Sequence, residues 1–269
     1  MERISYQGVV RQPIHDDCTM HSPALHALLH RVIDYAGTFP PAGLPCAVSW
    51  DNYLRYQQSP HQWMLRWLVV SAADVVQIPA SLDGKLSVLS EVDVNRAVCL
   101  ETRSMVKASK PVYVEVPVAE LPTVKAAGCL AKIRTGSIKP DGIPSVEDVR
   151  HFIVTCADLK LPFKATAGLH HPIRAEYPLT YEEHAPRAVM HGFLNMILAA
   201  AFAWQGRRDI HHVLAETEAT AFRFDDHAHW RDWSLTVQEI EQARSLFIHA
   251  FGSCSFDEPV QELQARGWL

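Results

Sequence analysis

The chain has 269 residues, with 25 Lys plus Arg against 30 Asp plus Glu, a formal net charge of −5, 48% hydrophobic and 20% charged residues. That balance suits a globular α/β chain with a substantial core and excludes general disorder. With no basic run it also argues against a nucleic-acid partner. The longest apolar stretch, Phe193–Trp204, is too short to span a membrane and runs into Gly206, Arg207 and Arg208.

Residues 1–21 are polar, irregular and lack an apolar signal core, so they read as an N-terminal arm of a cytoplasmic protein. The six cysteines show no CxxC or regular spacing, which fits reduced thiols. From residue 22 to 269 no linker or internal repeat interrupts the chain, and a single domain is expected. Its oligomeric state is left open.

Ser22-Pro23 is a helix start, an N-cap followed by proline at the first helical position, and Leu25, Leu28, Leu29 and Val32 continue it. The helix either ends at Gly37 or gives way to a short strand over Arg31–Tyr35, with Asp34 at its exposed end; the strand is preferred. Three prolines and two glycines in AGTFPPAGLP forbid regular structure after it. Val48–Tyr56 reads as helix and Trp63–Ser71 as strand. Asp74–Ile78 reads as a helical turn and Leu86–Leu89 as a short apolar strand followed by Glu91, Val92, Asp93 and Val94. Pro111–Pro117 is a clear strand with Glu115 near its end, and Ala119–Ala127 a helix stopped by Gly128.

Two apolar runs then follow, Cys129–Ile133 and Leu161–Ala167, each carrying one lysine and each ending in a glycine turn. Between them Ser145 is a candidate N-cap, Glu147 and Asp148 stand in the first turn, and Val149, Phe152, Ile153 and Cys156 recur at helical spacing. This is a βαβ unit, so Lys132 and Lys164 are expected near the carboxyl ends of parallel strands. An α/β barrel keeps its chemistry at such ends. One strand-end lysine is usually solvated; two with the same ending in consecutive strands are not so easily dismissed. Strands alternating with helices, with no GxGxxG or P-loop after any of them, predict an α/β fold of the TIM-type (β/α) barrel class, irregular in its C-terminal third.

Beyond Lys164 a polar stretch from His170 to His191 reads as a long loop over the barrel mouth. Phe193–Trp204 is apolar all round and reads as a buried helix. Phe222–Trp233 reads as a hairpin or edge strand pair, and Val237–Phe251 as a helix or a helix running into a strand. Phe251-Gly252-Ser253-Cys254-Ser255 opens a last helix over about 256–265.

AKIRTG and FKATAG resemble the two lysine strands of the deoxyribose-phosphate aldolases, class I aldolases on an α/β barrel whose Schiff-base strand usually reads KTSTG. VIDYAGTFPPA is similar to that family's opening strand, SEVDV to the strand of its catalytic aspartate, PVYVEVPVAEL to the strand before the Schiff-base lysine, and FGSCS to a glycine-serine turn that helps hold substrate phosphate. Arg134 replaces a small hydroxyl residue, Ala167-Gly168 replaces a glycine pair, His170 stands where arginine is usual, and residues 172–240 match nothing in the family. The resemblance implies a lyase forming a Schiff base on a small carbonyl compound, with or without an anionic group, and with no cofactor and no metal. Lys132, Lys164 and Asp93 would be catalytic. Asp34, Glu115, Arg134, Gly168, His170, His171, Gly252, Ser253 and Ser255 would surround the substrate.

The chemistry asks for such a set. A free lysine is almost wholly protonated at neutral pH, so a nucleophilic one needs a second cation or burial to release its proton. Lys164 is the expected second cation, and Arg134, two residues from Lys132 on the same strand, shares its face. A carboxylate, Asp93 ahead of Asp34 or Glu115, would move the proton. Two other readings stay open. His170, His171, His184 and His191 with Glu115 or Glu183 could build a metal site for a lyase, isomerase or hydrolase, although no pair among them has HxxxH or HExxH spacing. A barrel that has lost catalysis could still bind a small anion.

Overall fold

The computed structural model describes residues 22–269; the N-terminal arm expected over residues 1–21 lies outside them. The chain runs α1 (Pro23–Leu29), β1 (Ile33–Tyr35), α2 (Cys46–Tyr56), β2 (Leu65–Ser71), β3 (Leu86–Leu89), β4 (Ala97–Thr102), β5 (Val112–Glu115), α3 (Leu121–Ala126), β6 (Leu130–Arg134), α4 (Val146–Leu159) and β7 (Phe163–Thr166). It continues through β8 (Ala175–Pro178), β9 (Arg187–Met190), α5 (Phe193–Trp204), α6 (His211–Ala215), β10 (Phe222–Phe224), β11 (His227–Trp230), β12 (Trp233–Thr236), α7 (Val237–Leu246), β13 (Ile248–Ser253) and α8 (Asp257–Ala265).

Eight parallel strands close a barrel in the order β1-β13-β7-β6-β5-β4-β3-β2, which is the TIM-type architecture expected. Local signals set its elements. Ser22 accepts from the backbone N–H of Leu25 at 3.1 Å and caps α1. Ser145 and Asp148 form a reciprocal capping box on α4, and Thr236 and Glu239 do the same on α7. The inner faces of α1, α4 and α5 join the strands in one apolar core, to which α5 contributes an almost continuously buried run. Among the described residues no helix is long and apolar enough to cross a membrane.

Two departures from regular β/α alternation matter for the site. β3 passes to β4, and β4 to β5, with no α-helix between, so β4 arrives sooner than a helical crossover would allow. Between β7 and β13 the chain inserts α5, α6 and two small antiparallel sheets, β8-β9 and β10-β11-β12. The stretch from His170 to His191, expected as loop, therefore carries a two-stranded sheet. The pairing of backbone groups explains it: a polar segment of that length satisfies its N–H and C=O groups by folding on itself. The stretch Phe222–Trp233, expected as a hairpin or edge strand pair, leads into a third strand, β12.

β6 and β7 are drawn together where they leave the barrel. Thr135 donates its hydroxyl to the carbonyl of Ala167 at 2.7 Å and its N–H to that of Thr166 at 2.9 Å. Gly136 and Gly168 then meet backbone to backbone: a Cβ on Gly136 would lie 2.4 Å from the Gly168 Cα. Gly168 also has φ +74°, which glycine adopts freely. The repeated lysine-to-glycine ending thus has a steric cause at its glycines.

Candidate active site

Asp34, Glu101, Lys132 and Lys164 are buried polar residues inside the barrel. Lys132 and Lys164 face each other in register across β6 and β7. Both turn toward β4, where Lys164 Nζ donates to Glu101 Oε1 at 2.8 Å and Lys132 Nζ to Glu101 Oε2 at 3.4 Å. Lys164 also donates to Asp34, and Lys132 pairs with Glu115 at 3.2 Å. Glu115 in turn holds Arg134 at 3.1 Å, and Asp34 holds Arg66 at 3.5 Å. Ser87 donates to Glu101 Oε1 at 2.7 Å. A continuous set of alternating charges therefore crosses the barrel.

Burial disfavours charge on Lys164, but Asp34 and Glu101 more than offset this, so its amine holds its proton more tightly than a free lysine. Burial likewise disfavours charge on Glu101, and the cations Lys164 and Lys132 reverse the balance, depressing its pKa to about 2. Glu115 is depressed by Lys132 and Arg134 against the same opposing effect of burial.

Above this layer lies a cavity of about 430 Å³, opening between the carboxyl ends of the strands. Glu101, Lys132, Arg134, Gly168, His170 and Gly252 are among its lining residues. Lys164 lies beneath, fully shielded and outside the lining. The two lysines thus have different situations: one reaches the cavity and the other underpins it. Leu179, just after β8, and Met190, the last residue of β9, form part of the cavity wall, so this segment contributes to the cavity at the mouth.

His170 lines the same cavity, close to Leu179 and Met190. Its Nδ1 lies 2.9 Å from Glu258, its Nε2 3.9 Å from the Cys254 sulfur, and Tyr181 donates to Glu258 at 2.9 Å. Burial disfavours the imidazolium, but hydrogen bonds to Cys254 and Glu258 raise the pKa to about 9.

Several expectations need correction. Asp93 is exposed in the β3–β4 connection, ion-paired with Lys110 at 2.7 Å, and does not line the cavity; the carboxylate between the lysines is Glu101. Asp34 is fully buried, because β1 is flanked on both sides by barrel strands and Lys164 reaches it. Ser253 and Ser255 do not line the cavity. Ser253 Oγ accepts from the N–H of Ser255 at 3.3 Å, and Ser255 Oγ from the N–H of Glu258 at 3.1 Å. That turn caps α8, and the carboxylates of Asp257 and Glu258 already stand at its first turn. His171 points to Glu262 at 3.3 Å and stacks on Tyr177.

The histidines of the mouth segment are not gathered for a metal. His191 contacts the Pro144 carbonyl at 2.9 Å and Arg174 at 3.3 Å, while His184 is exposed. Among the described residues the one group with metal-ligand spacing is Asp225, His227 and His229, on the β10-β11 hairpin and outside the cavity lining.

No protein-family model, no curated protein and no solved structure matches this chain.

Proposed function

We propose that the protein is a carbon–carbon lyase of the class I type, forming a Schiff base between Lys132 and a small carbonyl compound. The observation that carries this is the single cavity-facing amine of Lys132, held against Glu101 and directly above a second, buried lysine. The resemblance to deoxyribose-phosphate aldolases supports the same reading, with Glu101 taking the part first expected of Asp93.

The Lys132 amine, freed of its proton, attacks the carbonyl carbon and gives a carbinolamine. Loss of water yields an iminium; as the β-hydroxyl of the substrate gives its proton to Glu101, the carbon–carbon bond breaks, a carbonyl fragment leaves, and the iminium takes the electron pair and becomes an enamine. Glu101 is the carboxylate that touches both the cavity and the amine. At rest it is a weak base, because two cations face it. Once Lys132 has become a neutral carbinolamine, one of those cations is gone and the proton affinity of Glu101 rises. It then carries protons to and from the carbinolamine oxygen and the enamine carbon. Arg134 and the His170 imidazolium border the same cavity, which favours substrates with a carboxylate or similar anionic end.

The test is reduction with borohydride in the presence of a panel of short aldehydes and ketones, followed by intact mass and peptide mapping. A stoichiometric adduct on Lys132, absent from Lys132→Ala, is expected. Adducts spread over surface lysines, with Lys132 unmodified, would overturn the reading. Tight binding of a small carboxylate without any adduct would favour the non-catalytic binder.

A further inference from the structure

The opposite end of the barrel holds a second cavity, of about 680 Å³, that the proposed chemistry does not use. It lies between α1, α7 and the amino ends of the strands, where Arg66 of β2, Tyr113 of β5, Leu130 of β6 and His249 of β13 begin their runs. Its charged and titratable lining is Arg31, Arg66, Arg244, His26, His30, His249 and Tyr113, whose hydroxyl lies 2.8 Å from His249 Nδ1, against the carboxylate of Glu241. Asp34 meets Arg66 only from the barrel interior.

Among the described residues two of the three guanidinium groups have no carboxylate partner. Arg244 donates to the carbonyls of Ile248 and His30, the latter at 3.1 Å, and among the described residues no carboxylate pairs with it. Arg31 is likewise unpaired among the described residues, and its guanidinium lies over the Trp67 ring at 4.7 Å. Arg31 is held there at φ +49°, a conformation costly for a side-chain-bearing residue. The excess of positive charge registers on the neighbouring groups. Burial, then Arg66, lowers Arg244 to about 9; burial, then Arg66 and Arg244, lowers His249 to about 4. His30 is lowered by burial and then by His26, Arg244 and Arg31. Cations crowded into a concave, partly shielded space are stabilised by a ligand that brings the missing charge, and guanidinium groups match oxyanions in geometry.

We propose that this cavity is a binding site for a small multivalent oxyanion, of the phosphate or pyrophosphate type, separate from the lysine cavity. The anion bonds to Arg31 and Arg244 and draws protons onto His30 and His249, opposed only by Glu241 and, through Arg66, by Asp34. Binding therefore tightens as pH falls. Because the site is distinct, its occupancy does not require the lyase reading.

The experiment is calorimetric titration of the full chain with inorganic phosphate and with pyrophosphate at low ionic strength, at pH 6.5 and 8, in buffers of differing ionisation heat. Expected are saturable binding, tighter at the lower pH, with proton uptake, and a loss of about tenfold or more in Arg31→Gly. Glycine keeps the backbone at Arg31 unstrained, so that variant reports the lost cation rather than a lost fold. Arg134→Ala, which alters the other cavity, leaves the affinity unchanged. Loss of binding in Arg134→Ala with retention in Arg31→Gly, or no saturable binding at all, overturns the proposal.

Discussion

Lys132 and Lys164 hold opposite oxygens of one carboxylate, that of Glu101, while standing in register on adjacent strands. The arrangement separates two tasks that a single lysine could not combine. Lys132 presents an amine to the cavity, and Lys164 supplies fixed positive charge below it, anchored by Asp34 on one side and Glu101 on the other.

This division predicts opposite behaviour in two variants. Removing the Lys164 amine in Lys164→Met leaves Asp34 and Glu101 buried without their shared cation, a loss of about 3–5 kcal/mol. Lys132→Ala borders a cavity and is expected to unfold within about 1–2 kcal/mol of wild type. Urea denaturation of both variants measures the contrast. Equal stability of Lys164→Met and wild type would mean that the buried ion pairs carry no structural weight.

Acid should act through the same cluster. The pKa of Glu101 falls from an ordinary 4.5 to about 2 on folding. A depressed carboxyl contributes stability that is fully present above its unfolded value and is lost as pH falls through the folded one. The window is therefore pH 4.5 down to 2, and the amount is roughly 3 kcal/mol. Denaturation midpoints over that range should fall less steeply in Glu101→Gln, which starts lower but has no such proton to take up. Parallel slopes would remove Glu101 from the acid response.

At the alkaline side His170 should dominate. Its pKa rises from 6.5 to about 9 on folding, so its contribution is fully present below pH 6.5 and is lost as pH rises through 9. The melting temperature of the wild type should decline across that interval, and His170→Asn should flatten the decline. A variant that kept the wild-type slope would point to another group.

The glycine contact is testable by a single methyl. In Gly136→Ala the added carbon meets the Gly168 backbone at 2.4 Å, where no flexible side chain can yield. Overpacking of this kind costs about 1–3 kcal/mol, and parting the two strand exits should also slow borohydride trapping at Lys132. Gly128→Ala, with open space around it but φ +71°, should lose stability without affecting trapping.

The lysines were legible because their strands repeat one pattern, apolar run, lysine, glycine, at the distance of one βαβ unit. Glu101 was not, although Ala97–Leu100 is an apolar run ending at that carboxylate. The resemblance of SEVDV to the family's aspartate strand drew attention to Asp93 instead, whereas that stretch is the short connection from β3 to β4. The alternation Cys99, Glu101, with both side chains near Ser87 inside the barrel, was the available signal. The β8-β9 sheet was hidden for a different reason: it is largely exposed, and its strands have no apolar face to betray them. The relation of His170 to Glu258 joins residues far apart in the chain and has no local signature at all.

The pairing of β1 with β13 has a consequence for folding. These strands are far apart in sequence, so the ring closes only when β13 is seated between β1 and β7. Asp34 stands on β1, yet its partner strand on one side and the wall around Lys164 arrive only with β13. Until β13 is in place one edge of β1 and one of β7 are unpaired, and the ion pair between Asp34 and Lys164 lacks part of its enclosure.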